Sequence, residues 1–171
     1  WDTNIAITLS LLSIMQKYNC FKIIFSSSAS VYKIKGSSFL KESDLLEPTN
    51  PYGKTKFTIE NILEDLFESD SKNEWKIANL RYFNPAGAHE SGLLGENPKF
   101  QSLNLFPSII RSINGFQKKL LIFGKDWPTR DGTCIRDFIH VMDLAEAHIA
   151  TLDFLNNSKP QILKLNIGTG K

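Results

Sequence analysis

The chain has 171 residues, of which 42% are hydrophobic and 22% charged, and its formal net charge is +2. This balance is typical of a globular domain with an apolar core, and it excludes a fibrous or intrinsically disordered chain. Because Lys and Arg are scattered among Asp and Glu, the sequence predicts no nucleic-acid partner.

The sequence gives no sign of a membrane or export segment. No apolar run is long enough to span a bilayer, and no charged region precedes a signal-like apolar core. The two cysteines, Cys20 and Cys134, have no metal or redox spacing and fit a reducing compartment. We therefore expect a cytoplasmic protein. Since Trp1 already lies in helical periodicity and the chain stops just after a strand, we also expect an internal fragment of a longer protein.

Helical patterns and continuous apolar strands alternate along the chain. Helices are predicted over 3–18, 51–67, 105–115 and 143–155, and strands over 21–27, 75–83, 120–124 and 162–168. Strands of this kind are buried on both faces of a parallel sheet, so the pattern predicts a doubly wound α/β fold. A long loop is predicted over 84–103, and its length indicates a functional role.

The stretch NPYGKTKFTIE at 50–60 combines helix start signals with an unusual polar pair. Asn50 is suited to the N-cap and Pro51 to the first helical position. Tyr52 and Lys56 then lie one turn apart on the face that continues into the apolar stripe of the helix. This pattern alone also fits an amphipathic core tyrosine and a lysine that extends its amine into solvent, so both interpretations stay open.

A serine-rich segment, SSSAS at 26–30, ends the strand before this helix. In doubly wound sheets ligands bind beyond the carboxyl ends of the strands, so Ser28 can meet Tyr52 and Lys56 there. The serine hydroxyl could orient a substrate oxygen toward Tyr52, whose ordinary pKa of about 10 we expect the Lys56 charge to lower. Such a trio suits removal of an alcohol proton while hydride leaves carbon, and the hydride requires a cofactor.

The motifs SSSASVY, NPYGKTK, LRYFNPAGAHESG, LNLFPSI and DGTCIRDFIHVMDLA follow one another in order over nearly the whole chain. Together they resemble the UDP-glucose 4-epimerase family of the extended short-chain dehydrogenase/reductase superfamily. The resemblance implies a Rossmann-like NAD-binding fold with part of a smaller C-terminal substrate domain. It also implies NAD as cofactor, interconversion of UDP-glucose and UDP-galactose through a 4-keto sugar in galactose metabolism, and a homodimer.

The resemblance assigns roles residue by residue. The implied catalytic residues are Ser28, Tyr52 and Lys56. The implied cofactor-binding residues are Ser26, Ser27, Tyr52, Lys56 and Tyr82, with Ser26 and Ser27 left ambiguous. The implied substrate-binding residues are Ser28, Phe83, Asn84, Asn104, Leu105, Ile122, Phe123 and Arg136. Within this last set, Arg136 would clamp the diphosphate, and Ile122 and Phe123 would form the platform for uracil.

Each assigned residue also has a structural interpretation. Arg136 and Asp137 could form a surface ion pair, Asn104 could be a helix N-cap, and Phe123 could belong to the core. The serines could simply end a strand with their hydroxyls bonded to the backbone. The residues alone leave these alternatives open.

Two further sequence patterns are not assigned to a ligand-binding site. His140 and His148 flank Asp143, but we expect Asp143 to cap a helix, and no metal site is predicted. The terminal GTGK resembles part of a phosphate loop, yet it lacks the earlier glycine of that motif and is interpreted as a turn.

The chain departs from the family in several places. No glycine-rich dinucleotide turn is present, so NAD over NADP follows from the resemblance alone. Lys33 and Cys134 stand where the family usually has glycine. We expect 1–83 to form mainly the C-terminal half of the Rossmann-like domain and 84–171 to mix substrate-binding and remaining Rossmann-like elements. The glycine-rich motif and the C-terminal region would then lie outside the chain, and this fragment alone would be inactive.

Two alternative functions remain. One is another nucleotide-sugar epimerase or dehydratase of the superfamily, although dehydratases tend to have Thr with Asp or Glu where this chain has SSSAS. The other is a non-catalytic nucleotide-sugar binding module, against which the intact Ser28, Tyr52 and Lys56 argue.

Overall fold

The structure, a computed structural model, describes residues 1–33, 39–98 and 104–170. The helices are α1 (Ile7–Lys17), α2 (Pro51–Glu68), α3 (Leu105–Ile113) and α4 (Val141–Asn157). The strands are β1 (Lys22–Ser28), β2 (Lys76–Tyr82), β3 (Asn84–Ala86), β4 (Phe138–His140) and β5 (Gln161–Ile167). A π-helical turn, Asp2–Ala6, leads into α1. Among these described residues, no helix is both long and apolar enough to cross a bilayer.

Three strands form a parallel sheet in the order β1-β2-β5. Ser28 pairs with Tyr82 across one side of β2, and Tyr82 pairs with Ile167 across the other, so the carboxyl ends of all three strands are level. The strands 21–27, 75–83 and 162–168 predicted from the sequence are therefore confirmed within a residue or two. Their common edge is where the predicted site residues were expected to gather.

Helices cover both faces of this sheet, as the doubly wound prediction requires. On one face the core joins α1 and α2 to the strands through Leu12, Met15, Phe25, Ile59, Leu63, Trp75 and Ile77. On the other face α4 packs through Leu155 against Ala78 and Leu80. Successive strand residues point to opposite faces, so coverage of both faces leaves β2 buried almost throughout. The α/β fold class is confirmed.

A second, two-stranded parallel sheet pairs β3 with β4, so that Asn84 lies opposite Phe138. The sequence predicted a loop over 84–103, but its first three residues form β3, and a three-residue strand is too short to give an alternating pattern. Residues 99–103 of that predicted loop lie outside the described residues.

Two local predictions were wrong. The apolar run 120–124 is not a strand, because none of the described strands pairs with it and its Ile122 side chain is 70% exposed. Asp143 does not cap α4, because His140 occupies that position and its Nδ1 accepts a hydrogen bond from the Met142 amide at 3.2 Å. Asp143 lies instead in the first turn, where a carboxylate favours the positive end of the helix dipole.

Asn79 is a polar residue in the middle of the central strand. Its side chain is fully buried, and neither its amide nitrogen nor its oxygen has a hydrogen-bond partner in the described structure. An unsatisfied buried amide costs about 1–3 kcal/mol, so Asn79→Leu is expected to raise the free energy of unfolding of the complete protein by about that amount. Denaturant unfolding at unchanged m-value measures the change.

Asn166 provides the matched control for this experiment. Its Oδ1 accepts from the Tyr32 hydroxyl at 2.6 Å, and its amide donates to the Leu40 carbonyl at 3.0 Å. Asn166→Leu is therefore expected to destabilise the protein, since both partners lose a hydrogen bond. An Asn79→Leu variant that unfolds as easily as Asn166→Leu would contradict the account of Asn79.

Candidate active site

The N-terminus of α2 lies beside the carboxyl edge of the main sheet. Asn50 caps the helix, as predicted, and its Oδ1 accepts from the Gly53 amide at 2.8 Å. Pro51 occupies the first helical position. Tyr52 therefore stands on the opening turn, half-exposed, with Lys56 one turn further along.

Lys56 holds its ammonium against two aromatic rings. Its Nζ lies 5.6 Å from the centroid of the Tyr52 ring and 5.0 Å from that of Phe25. Both distances allow attraction between a cation and the face of a ring. Burial lowers the pKa of Lys56, because the charged form is the one that loses solvation. The structure thus brings together the Tyr52 and Lys56 pair predicted from the sequence.

The structure does not lower the pKa of Tyr52, although the sequence predicted that the charge of Lys56 would lower it. Burial raises the pKa of Tyr52, the nearby phenol of Tyr82 raises it further, and a hydrogen bond with Ser28 only partly opposes them. The expected lowering is therefore wrong, because desolvation of the phenolate is the largest influence and the Ser28 hydrogen bond does not offset it. Burial therefore favours the neutral phenol of Tyr52 over its phenolate.

Ser28 is held by Ser30, which sequence reasoning missed. Its Oγ accepts from the Ser30 amide at 3.2 Å and from the Ser30 hydroxyl at 3.0 Å. These contacts occupy the acceptor side of Ser28 and leave its own proton to be donated. The signal was present in the i to i+2 serine spacing, which is that of a serine turn.

The other two serines of the strand end are placed differently. Ser26 is half-buried on the same side of the strand as Ser28. Ser27 is fully buried, and its hydroxyl donates to the carboxylate of Glu60 on α2. The structure thus commits Ser27 to the protein core, which differs from the predicted contact with a cofactor.

The lining of a cavity of about 900 Å³ includes Phe83, the residue that follows β2 at this edge. The same lining includes every predicted substrate residue except Ser28, namely Phe83, Asn84, Asn104, Leu105, Ile122, Phe123 and Arg136. The segment 120–124, wrongly predicted as a strand, contributes its exposed apolar side chains to the cavity wall. These residues come from β3, α3 and two loops, so they meet only in the folded chain.

The cavity combines features suited to a nucleotide. Asn104 occupies the N-cap of α3, as its structural interpretation predicted, and the first turn of that helix faces the cavity. Helix N-termini and the forked donors of Arg136 both favour phosphate groups. Ile122 and Phe123 offer apolar surface for a flat ring.

Asp137 does not pair with Arg136 as the surface interpretation supposed. Its carboxylate accepts from the Thr169 amide at 3.0 Å, from the Thr169 hydroxyl at 2.7 Å and from the Gly170 amide at 3.0 Å. Burial alone would raise the pKa of Asp137, but these hydrogen bonds outweigh burial and hold the pKa below its ordinary value. The carboxylate thereby fixes the chain that leaves β5 beside Phe83.

The lowered pKa of Asp137 predicts how the stability of the native state changes with pH. A carboxylate whose pKa falls on folding stabilises the native state above its unfolded pKa, about 3.9, and the stabilisation is lost as pH falls through the folded value. The amide signals of Thr169 and Gly170 are therefore expected to titrate in NMR with a midpoint below about 3.9.

The same titration has clear controls. In Asp137→Asn the titration of these two amides should be absent. In Asp153→Asn, which changes an exposed carboxylate on α4, it should be unchanged. A wild-type midpoint at or above about 3.9 would contradict the assigned hydrogen bonds.

A parallel sheet covered by helices, with hydroxyl and ammonium groups at its carboxyl edge, defines a Rossmann-like fold of the kind that binds nucleotides. The chain belongs to the NAD dependent epimerase/dehydratase family, whose profile matches residues 1–168. This family confirms both the predicted superfamily and the predicted class of cofactor.

Named relatives agree with this placement. The chain is 48% identical over 171 residues to a UDP-glucose 4-epimerase of Dictyostelium discoideum, covering 100% of this chain and 49% of the relative. It is 46% identical to a UDP-glucose 4-epimerase of Bacillus subtilis, covering 99% of this chain and 50% of that protein. The chain thus spans about half the length of these relatives.

Solved structures are similar over the same extent. A crystal structure of UDP-glucose 4-epimerase from Bifidobacterium longum in complex with NAD+ and UDP superposes with a TM-score of 0.93 at 46% identity. The match covers 99% of this chain and 50% of the other. The predicted fold and the predicted resemblance are both confirmed.

Proposed function

We propose that the chain is part of an NAD-dependent UDP-glucose 4-epimerase that interconverts UDP-glucose and UDP-galactose in galactose metabolism. One observation carries the proposal: the Ser28, Tyr52 and Lys56 side chains meet at a sheet edge, and the lining of a cavity with the predicted nucleotide-sugar residues includes Phe83, the residue that follows β2 at this edge. The similarity to named UDP-glucose 4-epimerases supports the same reaction.

In this proposal the cavity anchors the nucleotide diphosphate. Arg136 would clamp the diphosphate, and the first turn of α3, from Asn104, would donate amides to it. Ile122 and Phe123 would pack against the uracil ring. Because anchoring involves only the nucleotide part, the sugar would remain free to turn over while the diphosphate stays fixed.

Tyr52 would move the proton of the reaction. Ser28, which can donate its own proton, would bind the sugar 4-oxygen and orient it toward the Tyr52 phenol. Lys56 would hold the Tyr52 ring in place through the contact of its ammonium with the face of the ring. Tyr52 would then take the proton of the 4-hydroxyl group, and it would return a proton to the 4-keto oxygen after the sugar has turned.

The residues at the sheet edge fit a dinucleotide. Lys56 is half-buried against two rings, and its ammonium donors match the hydroxyl groups of a ribose, while Tyr82 would lie near the nicotinamide. When bound, NAD supplies reversible hydride acceptance at the sugar 4-carbon, which no side chain can provide. The family description supports NAD for this chain.

The decisive experiment is conversion of UDP-galactose to UDP-glucose by the complete protein without added oxidant. We expect turnover with NAD retained on the protein, because the hydride that leaves the sugar returns to it. Formation of a dehydrated sugar would favour a dehydratase, and binding of UDP-sugar without turnover would favour a binding module. Either result would overturn the proposal.

We also propose a cytoplasmic homodimer. In each copy, 1–83 would form mainly the C-terminal half of the Rossmann-like domain, and 84–171 would mix substrate-binding and remaining Rossmann-like elements. Exposed apolar side chains on α1, including Ile7, Leu11 and Ile14, support a surface that pairs with a second copy. Analytical ultracentrifugation of the complete protein tests the dimer, and a monomer at micromolar concentration would exclude it.

A further inference from the structure

A buried ion pair joins α2 to the central strand. The side chains of Arg81 on β2 and Glu60 on α2 are 1% and 2% exposed. Arg81 Nη2 donates to Glu60 Oε2 at 2.5 Å, and Arg81 Nε donates to Oε1 at 3.0 Å. This two-point geometry fixes the relative orientation of the two groups as well as their distance.

Further hydrogen bonds tie the pair to other parts of the fold. Ser27 on β1 donates to the Glu60 carboxylate. On the other side, Arg81 Nη1 donates to the Tyr32 hydroxyl at 2.9 Å, and Tyr32 donates to Asn166 on β5 at 2.6 Å. One buried network therefore connects α2 with all three strands of the main sheet.

On the helix side, this network lies close to the proton-transfer pair. Glu60 follows Lys56 by one helical turn and Tyr52 by two. A rotation or shift of α2 that breaks the contacts of Glu60 would displace Lys56 and Tyr52 along with it, because helical residues move together.

On the strand side, the network involves the immediate neighbours of two site residues. Ser27 precedes Ser28 on β1, and Arg81 precedes Tyr82 on β2. In the sheet Ser27 is paired with Arg81, and Ser28 with Tyr82. The two residues that hold Glu60 are thus one peptide unit away from the two that face Tyr52.

Stability alone gives little reason for such an arrangement. Desolvation of two buried charges offsets most of their attraction, and apolar residues of similar size often replace a buried pair at no loss. Removing only one partner is strongly destabilising, because the other charge is left unpaired. A buried pair is better suited to fix geometry, which its position here favours.

We infer that Glu60 and Arg81 are positioning residues that hold the Tyr52 helix in register with the strands carrying Ser28 and Tyr82. The inference rests on the proposed epimerase function, because the reaction that depends on this register is the proton transfer proposed for Tyr52. It assigns the pair no contact with substrate or cofactor.

The test replaces the pair as a unit in the complete protein. The variant Glu60→Leu/Arg81→Met removes both charges and keeps similar volume. Glu64→Leu/Lys164→Met is the matched control, because Lys164 donates to Glu64 at 2.7 Å between the same helix and β5, with both side chains partly exposed. Thermal midpoint, bound NAD, UDP affinity, kcat and KM are measured for each.

We expect the Glu60/Arg81 variant to fold and to bind UDP with wild-type affinity, because the cavity lies on other elements. Its kcat should fall by about 10–100-fold with KM changed less than about threefold, since misplacement of reacting groups by about 1 Å costs that much. The control variant should keep its kcat. A folded Glu60/Arg81 variant with wild-type kcat would overturn the inference.

Arg81→Lys covers the case in which the double variant does not fold. Lysine keeps the charge, but it cannot reproduce the two-point contact with Glu60 together with the bond to Tyr32. A lowered kcat in folded Arg81→Lys supports the inference, and wild-type kcat overturns it.

A readout independent of activity separates this inference from the proposed function. The phenol of Tyr52 is titrated by NMR of labelled tyrosine in the wild type and in Arg81→Lys. If Arg81 positions the helix, the pKa of Tyr52 moves toward its ordinary value in the variant, because burial and its contacts with Ser28 and Tyr82 change. An unmoved titration counts against positioning, whereas a wild type without epimerase activity counts against the proposed function alone.

Discussion

Replacement of Tyr52 by phenylalanine in the complete protein is expected to lower kcat for epimerisation by about 10²–10⁴-fold, with NAD still bound. The change removes only the hydroxyl that would exchange the proton with the sugar. The ring keeps its packing against Lys56, and because Tyr52 is 50% exposed, the loss of its hydroxyl should hardly alter stability. Steady-state kinetics and the thermal midpoint measure the two effects separately.

The pH dependence adds a second readout for Tyr52. Only the phenolate can accept a proton, and burial raises the pKa of Tyr52, so kcat/KM of the wild type should rise as pH increases through neutrality. Tyr18→Phe, at a 71% exposed tyrosine after α1, should behave like the wild type. A Tyr52→Phe variant within about tenfold of wild-type kcat would exclude the proposed proton transfer.

Gly53→Ala is expected to lower kcat by about 10–100-fold, although the substitution adds only one methyl group. Gly53 is buried in the first turn of α2, and a Cβ built there would lie 2.4 Å from the Ser30 carbonyl oxygen and 3.0 Å from Pro48 Cβ. The clash is with backbone, so the helix start must move away from the turn that holds Ser28. Such a shift separates Tyr52 from Ser28.

Helix propensity alone predicts that Gly53→Ala stabilises the protein and leaves kcat unchanged. Alanine is about 1 kcal/mol more favourable than glycine inside a helix, so a stabilised and fully active Gly53→Ala would show that the close approach is not required. Lys54→Ala, at the next and exposed position, is the matched control and should leave kcat unchanged. Affinity for UDP should survive in both variants, because the cavity is built from other elements.

The sequence was most informative where a local pattern determines the structure. Asn50 followed by Pro51 predicted the start of α2 correctly, because the cap and the first helical position depend only on neighbouring residues. The continuous apolar strands predicted a parallel sheet, and the buried stripe of α2 predicted the face carrying Ile59 and Leu63. The residues that motif resemblance assigned to the substrate, apart from Ser28, line one cavity in the structure.

Long-range contacts were the main source of error and omission. Glu60 and Arg81 are 21 positions apart, and no local period relates them. Two features of the sequence could have indicated this ion pair. Glu60 lies one turn beyond Lys56, and Arg81 lies inside a predicted buried strand, and a buried charge requires a partner. The run 120–124 was misassigned because an apolar cavity wall has the composition of a buried strand.

A single residue, Phe83, separates the end of β2 from the start of β3. Tyr82 before it lies in the sheet that carries Ser28, whereas Asn84 after it lines the cavity and donates to the Asp137 carbonyl at 3.0 Å. Consecutive Cα atoms are about 3.8 Å apart, so two peptide units set the span between the sheet edge and the cavity. The distance between the backbone of Tyr82 at the sheet edge and that of Asn84 at the cavity is therefore fixed by the covalent chain. A ligand that contacts both the sheet edge and the cavity must have a length that matches this distance. Such discrimination between ligands by length requires no conformational change.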